Sequence, residues 1–440
     1  MKKTILFGAL LSICLSALAA DEADQLNNPT KRLYDFVVPR DGSIAEAIAA
    51  ANSRPDTTSR YRIFILSGDY VIPADSSRMV KGGNGQMYPS PITVLRTPYV
   101  SIIGEDYQTT GFTNTVPPAT WNNGFNEASP LEGISKSDVL NLGRYVHHTY
   151  MQGISIRTSM GDRHGRDIAL NDNGDKTILK ECCLWGYQDT YVSHQRNRYY
   201  FEGGVIRGNT DYCCGKGDVW YNQVTLRTKG GYLAVPSKPR KYGYIFDRCR
   251  IVSDGENGDG SYTLGRPWGQ GTPIALFLNT VMEIIPKPIG WDEMGKAGYP
   301  SRFAEYNSRD AKGNPVDLSG RKTSFGGHDD CNVPSLTREE AERYTIALVM
   351  GAEDGWDPTL YTAQVSPVES FRVKRGKLSW RHNPQALLYA IVRNGHVVDF
   401  TTDANYRLPA DAHPSDKWSV RCANWMGGLG EATDAVSIAK

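Results

Sequence analysis

The stretches YFEGGVIRG (200–208) and WYNQVTLRT (220–228) follow one another closely and superpose position by position. An apolar residue stands second in each (Phe201, Tyr221), a polar residue third (Glu202, Asn222) and an aliphatic residue seventh (Ile206, Leu226). The same pattern recurs in YMQGISIRT from Tyr150, ILKECCLWG from Ile178 and IFDRCRIVS from Ile245. Its second positions are Met151, Leu179 and Phe246, its third Gln152, Lys180 and Asp247, its seventh Ile156, Leu184 and Ile251. The fifth position is small or apolar throughout: Ile154, Cys182, Gly204, Val224, Cys249. This alternation is strand periodicity. The five starts are separated by 28, 22, 20 and 25 residues. An irregular period with one strand phase kept means coils stacked on each other. The fold expected is all-β, a right-handed parallel β-helix. RIFILSG (62–68) and VSIIGE (100–105) read as earlier coils, IALFLNT (274–280) as a later one. A β-sandwich here would need turn signals about every 8–12 residues.

That phase carries information about chemistry. Asp189 lies 11 residues after Ile178, and Asp211 lies 11 residues after Tyr200. A shared offset in adjacent coils stacks the two carboxylates, because neighbouring strands run about 4.8 Å apart. Like charges so close push their pKa values apart, leaving one acid and one base. The plainer alternative is that one aspartate only shapes a turn.

The chain has 440 residues, enough for about two or three domains. Its 49 basic and 48 acidic residues give a net charge of +1, without the basic excess of a nucleic-acid binder. Forty-four glycines and 24 tyrosines suit a turn-rich β protein. MKKTILFGALLSICLSALAA (1–20) reads as a signal peptide cut near Ala19 or Ala20. The run is too short for a membrane span, and no other stretch is apolar enough to be one. Cys14 raises lipidation as an alternative, which Ile13 before it disfavours. The mature protein is expected to be exported: periplasmic, cell-surface or extracellular. Seven cysteines remain after cleavage, an odd number without zinc-ligand spacing to histidines. They read mostly as buried small apolar residues.

Several blocks in order resemble the pectin methylesterase (pectinesterase) family of carbohydrate esterases. DFVVPRDGSIAEAIAAAN (35–52) and RIFILSGDY (62–70) resemble its opening strand and helix and the strand that follows. GYQDT (186–190) and LGRPW (264–268) match family signatures directly. GNTDYCCG (208–215) sits where the family has Gly-Thr-Val-Asp-Phe-Ile-Phe-Gly, and FAEYNSRD (303–310) resembles its closing segment. The resemblance covers roughly residues 33–360. It implies hydrolysis of methyl esters in homogalacturonan, with no metal or organic cofactor. It implies Asp211 as nucleophile, Asp189 as general acid and base, Gln188 as oxyanion donor and Arg266 as the partner that keeps Asp211 ionised. Trp268 would offer a flat face to a sugar ring, and Tyr212 would keep an aromatic contact with substrate. The partner implied is methylesterified homogalacturonan, met by a monomer.

There are departures. The family's second oxyanion glutamine lies in a Gln-Ala-Val-Ala-Leu block, which here reads RDIAL (166–170), so Arg166 takes its place. Arginine can donate to an oxyanion or clamp a uronate carboxylate. Cys213 and Cys214 replace the family's Ile-Phe and read as wall residues. His147, His148 and His164 read as solvated loop residues, and Asp218 does not share the offset of the aspartate pair.

After GWDPTL (355–360) the pattern changes. Alternating strands, with RNG between two of them as a hairpin turn, resemble a fibronectin type III-like β-sandwich. The expected organisation is a leader (1–20), a β-helix domain (21–361), a linker (362–370) and a small C-terminal β-sandwich (371–440). The sandwich reads as a spacer or packing module, with sugar binding through Trp418 or Trp425 as the alternative. Rival functions are a β-helix lyase or glycosidase on pectin, a non-catalytic carbohydrate-binding solenoid, and an esterase or thioesterase for another acyl group. GYQDT and GRPW argue against chain cleavage. The Asp189, Asp211 and Arg266 set argues against a mere binder.

Overall fold

The computed structural model describes residues 33–81, 86–115, 138–159, 166–269, 271–295 and 297–438. The leader, Cys14 and His164 lie outside the described residues. Ten strands, from Phe36–Val38 to Arg302–Tyr306, stack in one parallel sheet. Tyr150 pairs with Ile178, Ile178 with Tyr200, Tyr200 with Trp220 and Trp220 with Ile245. The nine-residue segments therefore pair in the register in which they align. A second face runs through Ile156, Leu184, Ile206, Leu226 and Ile251. A third is built from Thr93–Leu95, Leu140–Leu142, Leu170–Asp172 and Tyr191–Ser193, continued by the ends of Val205–Gly215 and Thr225–Pro236. Three parallel faces wound by one chain are a parallel β-helix.

From the coil of Tyr150 onward, a left-handed residue opens the bend from the first face to the second. Gly153, Glu181, Gly203, Gln223, Arg248, Asn279 and Asn307 each follow a first-face strand, and each has φ between 48° and 66°. A single left-handed residue turns the chain without interrupting the stack. At Gly204 a Cβ would collide with the Cys182 carbonyl of the coil below, so the second face can approach only with glycine there.

The second-position side chains fill the interior. Tyr221 stacks on Phe201 with ring centroids 4.9 Å apart, Phe246 on Tyr221 at 4.4 Å and Phe277 on Phe246 at 4.4 Å. Such aromatic pairs add about 0.5–1.5 kcal/mol each beyond the area they bury. The helix Ile44–Ser53 closes the first end. Its Ser43–Glu46 capping box fixes the start, and Ile44, Ala47, Ile48 and Ala51 are buried against the opening coil. Toward the other end Trp291, Phe303 and Phe325 pack together, and the buried Arg321 meets the buried Glu305 at 2.7 Å.

Beyond the coils, two small antiparallel sheets form. One contains Arg372–Lys374, Lys377–Ser379 and Asn405–Arg407, the other Tyr389–Arg393, His396–Thr401, Lys417–Ala423, Leu429–Ala432 and Val436–Ser437. Leu378, Trp380, Tyr389, Ile391, Trp418 and Val420 form a core common to both. The RNG hairpin is present, with Asn394 (φ 54°) and Gly395 (φ 90°) between paired Arg393 and His396. Trp418 is buried in this core. The segment read as a linker carries buried Thr362, Val365 and Val368.

This C-terminal part packs on the coils. The outward row of the first face (Tyr150, Ile178, Tyr200, Trp220, Ile245) is apolar and shares a cluster with Met350, Trp356, Leu388, Ala423, Met426 and Leu429. Arg62 donates to the Trp425 carbonyl at 2.8 Å, and Arg421 donates to the Glu105 carbonyl at 2.9 Å. The Val397 amide donates to the Glu105 carboxylate at 3.0 Å.

Candidate active site

The site grows out of the bend between the second and third faces. Arg166 neighbours Gln188 in parallel register, Gln188 neighbours Thr210, and Thr210 neighbours Tyr232. One residue further along, Asp167, Asp189 and Asp211 occupy successive coils. The ladder is held by Asp167 N donating to Gln188 O at 3.1 Å and Asp189 N donating to Thr210 O at 3.0 Å. Asp189 (φ 58°) and Asp211 (φ 53°) are left-handed, a conformation aspartate tolerates better than most residues. Around Asp211 the strand register shifts between Thr210 and Cys213, an irregularity of the kind that re-aims a side chain. Gly186 opens the GYQDT bend because a Cβ there would lie 2.7 Å from Thr190 Oγ1 and 2.8 Å from the Asp167 carbonyl.

Asp189 and Asp211 each have their own arginine. Arg266 Nε donates to Asp211 Oδ1 at 3.0 Å and its Nη2 to Oδ2 at 2.7 Å, a two-pronged grip. The same guanidinium lies 3.8 Å from the centroid of the Tyr232 ring, which fixes its plane. Arg166 Nε stands 2.6 Å from Asp189 Oδ2, a contact of charges rather than an aligned hydrogen bond. Burial raises the Asp189 carboxyl to about 6; the Arg166 charge opposes the rise and the Asp211 charge adds to it. Burial also raises Asp211, against the hydrogen bonds and charge of Arg266. A carboxyl near 6 can exist in both protonation states at mild pH.

These groups line a cavity of about 260 Å³. Arg166, Gln188, Asp189, Asp211 and Arg266 supply its polar side, and Ile168, Val192, Cys214, Val235, Trp268 and Met294 its apolar side. His194 and Asn171 complete the wall, with His194 Nδ1 3.2 Å from Asn171 Oδ1. Burial and the nearby charges of Lys216, Arg144 and Arg166 lower His194 to about 4, so its ring is neutral at ordinary pH.

The structure brings together Asp189, Asp211, Gln188, Arg266, Arg166 and Trp268. Tyr212 is a correction: it is fully buried among the core residues and does not line the cavity. The register shift between Thr210 and Cys213 breaks the alternation here, so both Tyr212 and Cys213 turn inward between Asp211 and Cys214. Cys213 is likewise in the core, whereas Cys214 lies in the cavity wall. His147 and His148 sit apart from the cavity, with Nδ1 atoms 2.7 Å apart and both rings against Tyr99. Asp218 is buried and accepts from the amides of Lys241, Tyr242 and Gly243, a structural role.

Three residues of this region were missed. Tyr232 supports Arg266, and His194 lines the wall. Asp167 carried a readable signal, since it precedes Asp189 by 22 residues, as Asp189 precedes Asp211. Measured from the repeat start at Tyr150 its offset is 17 rather than 11, because that coil is longer.

Comparison with known proteins agrees with this architecture. The pectinesterase family profile matches residues 140–353. The chain is similar to pectinesterase 31 of Arabidopsis thaliana, 26% identical over 246 residues, covering 52% of this chain and 75% of that one. It is similar to probable pectinesterase A of Aspergillus niger, 24% identical over 320 residues, covering 71% and 89%. Among solved structures, the pectin methylesterase from carrot aligns with a TM-score of 0.57 and 18% identity, over 77% of this chain and 99% of that one. The Aspergillus niger pectin methylesterase aligns with a TM-score of 0.54 and 22% identity, over 74% and 96%. The class is that of carboxylic ester hydrolases built on a right-handed parallel β-helix. The region 140–353, just under half of the chain, holds every residue of the cavity and is similar to the pectinesterases.

Proposed function

We propose that this enzyme hydrolyses the methyl esters of galacturonate units in homogalacturonan, releasing methanol, with Asp211 as nucleophile and Asp189 as general acid and base. The observation that carries the reading is the stacked aspartate pair, in which Arg266 grips both oxygens of Asp211. That grip favours the ionised, attacking form of Asp211. Its carboxylate adds to the ester carbonyl, and the Gln188 amide, on the cavity wall, donates to the developing oxyanion. Asp189 enters protonated. As the tetrahedral species collapses, the C–O bond to methoxide breaks and Asp189 gives its proton to the leaving oxygen. A mixed anhydride on Asp211 and free methanol result. Asp189, now a carboxylate, takes a proton from water, whose oxygen attacks the anhydride. The galacturonic acid so formed loses its proton to solvent and leaves as galacturonate, Asp211 is restored and Asp189 keeps its proton for the next cycle. The apolar floor suits a methyl group, and Trp268 offers a face for a sugar ring.

On this reading the mature protein follows cleavage near Ala19 or Ala20 and acts outside the cytoplasm as a monomer, and the C-terminal sheets are a fibronectin type III-like module. A second reading, an ester of another acyl group, is favoured by one observation: Arg166, standing in the place of the family's glutamine, is engaged with Asp189.

The test follows methanol, unsaturated ends and new reducing ends together on highly methylated homogalacturonan, for wild type and Asp211→Ala. Methanol alone, abolished in the variant, is the expected result. Chain ends without methanol would overturn it, and methanol-free turnover of other esters would favour the second reading.

A further inference from the structure

We propose that Asp167 is a positioning residue that holds the bend 186–189, and with it Gln188 and Asp189, at the reacting centre. The inference rests on the proposed roles of Gln188 and Asp189, and adds a group that the family resemblance does not supply. The family block Gln-Ala-Val-Ala-Leu, aligned on RDIAL, has alanine at this place.

The geometry is specific. Asp167 Oδ1 accepts from two consecutive amides, Tyr187 N at 2.8 Å and Gln188 N at 2.7 Å. Its Oδ2 accepts from Thr158 Oγ1 at 2.9 Å. Its own amide returns a bond to the Gln188 carbonyl at 3.1 Å. Asp167 and Gln188 thus clasp each other through both backbone and side chain, one coil apart. The residue is 1% exposed. A buried carboxyl is tolerable only where donors replace water, and here three do so. Burial, only partly offset by the Gln188 and Tyr187 amides and the Thr158 hydroxyl, lifts it to about 7.

The bend needs such an anchor. It carries Gln188 and the left-handed Asp189 between two short strands, Cys183–Trp185 and Tyr191–Ser193. The amides of 187 and 188 both turn toward Asp167 in the neighbouring coil. Without Asp167 these part-buried donors lose the acceptor they share, and the bend would shift to find another. Displacements of about 1 Å at a reacting group cost on the order of 10²-fold in rate.

Asp167→Ala and Asp167→Asn of the mature chain separate positioning from bulk stability. Asparagine keeps a carbonyl oxygen where Oδ1 stands, and alanine removes it. Two readouts are taken: amide hydrogen exchange of the peptide covering 185–191, and kcat and KM for methanol release. In Asp167→Ala the peptide should exchange faster and kcat should fall on the order of 10²-fold, with KM changed by only about two-fold. Asp167→Asn should restore most of both. Unchanged exchange at 185–191 in folded Asp167→Ala would overturn the proposal. So would an Asp167→Asn variant as impaired as the alanine one, which would make the charge and not the acceptor the point. Should Asp167→Ala not fold, Asp167→Ser, too short to reach both amides, takes its place with the same two readouts. Should wild type release no methanol, the proposed function fails, while the exchange data still decide whether Asp167 holds the bend.

Discussion

Arg166 Nε stands 2.6 Å from Oδ2 of Asp189, so each of the two stacked aspartates has an arginine of its own. Two carboxylates with one cation would separate sharply into an acid and a base. A second cation on Asp189 works against its acid form. Burial still wins, holding Asp189 at about 6. The Arg166 charge therefore sets how far into the alkaline range the acid survives.

Arg166→Gln tests this. Removing a cation beside a carboxyl raises its pKa. On the proposed mechanism Asp189 must be protonated to expel methanol, so activity falls as pH rises through its pKa. In the variant that basic limb should move to higher pH. A pH profile of kcat/KM measures it, and an unmoved or acid-shifted limb would show that Asp189 does not act as the acid.

Arg266→Lys should be costly although charge is kept. Lysine cannot make the two-pronged grip on Asp211, nor lie flat on Tyr232 as the guanidinium does. A fall in kcat on the order of 10²-fold is expected, mainly through misplacement of the nucleophile. The pH profile should change on the other side. A weaker cationic contact lets the Asp211 pKa rise, and on the proposed mechanism Asp211 attacks in its ionised form, so the acid limb moves up. Steady-state kinetics across pH separates the two effects.

Glu305→Ala removes the partner of Arg321, whose Nε donates to it at 2.7 Å with both side chains buried. The guanidinium keeps the Pro288 carbonyl at 3.0 Å but no countercharge. Breaking such a pair costs about 3–5 kcal/mol. The measurable outcome is a lower urea midpoint with the slope unchanged. The pair lies away from the cavity, so kcat of the folded variant should be unaffected.

Legibility in the sequence followed the physics of the stack. Tyr150, Ile178, Tyr200, Trp220 and Ile245 align because parallel coils impose one register on every strand. Asp189 and Asp211 were readable because their coils differ by no insertion before the bend. Asp167 was hidden by the longer coil that precedes it. Tyr212 was misread because the register shift beside Asp211 breaks the alternation of side chains and decides which residue faces out, and it is not visible in a motif. The outward apolar row at the first positions was hardest to interpret. What covers it comes from more than 100 residues further along the chain, and nothing local announces the partner.

That row makes a last prediction about the C-terminal sheets. Gly428 lies where a Cβ would run into Gln152 Oε1 and stand 3.0 Å from Tyr150 Oη, both on the first face of the coils. Gln152 cannot simply swing away. Its Oε1 accepts from Tyr150 Oη at 2.6 Å, and its Nε2 donates to the Leu429 carbonyl at 3.0 Å. Gly428→Ala should therefore wedge the sheets off the coils, and overpacking of this kind costs about 1–3 kcal/mol. A spacer on a free tether would not notice one methyl group at this position. A packed module should lower the melting temperature of the whole chain, and calorimetry should show the loss on the transition of the coils themselves. An unchanged transition would mean that the two parts do not stabilise each other, leaving the apolar row at Tyr150 and Ile178 without the cover described here.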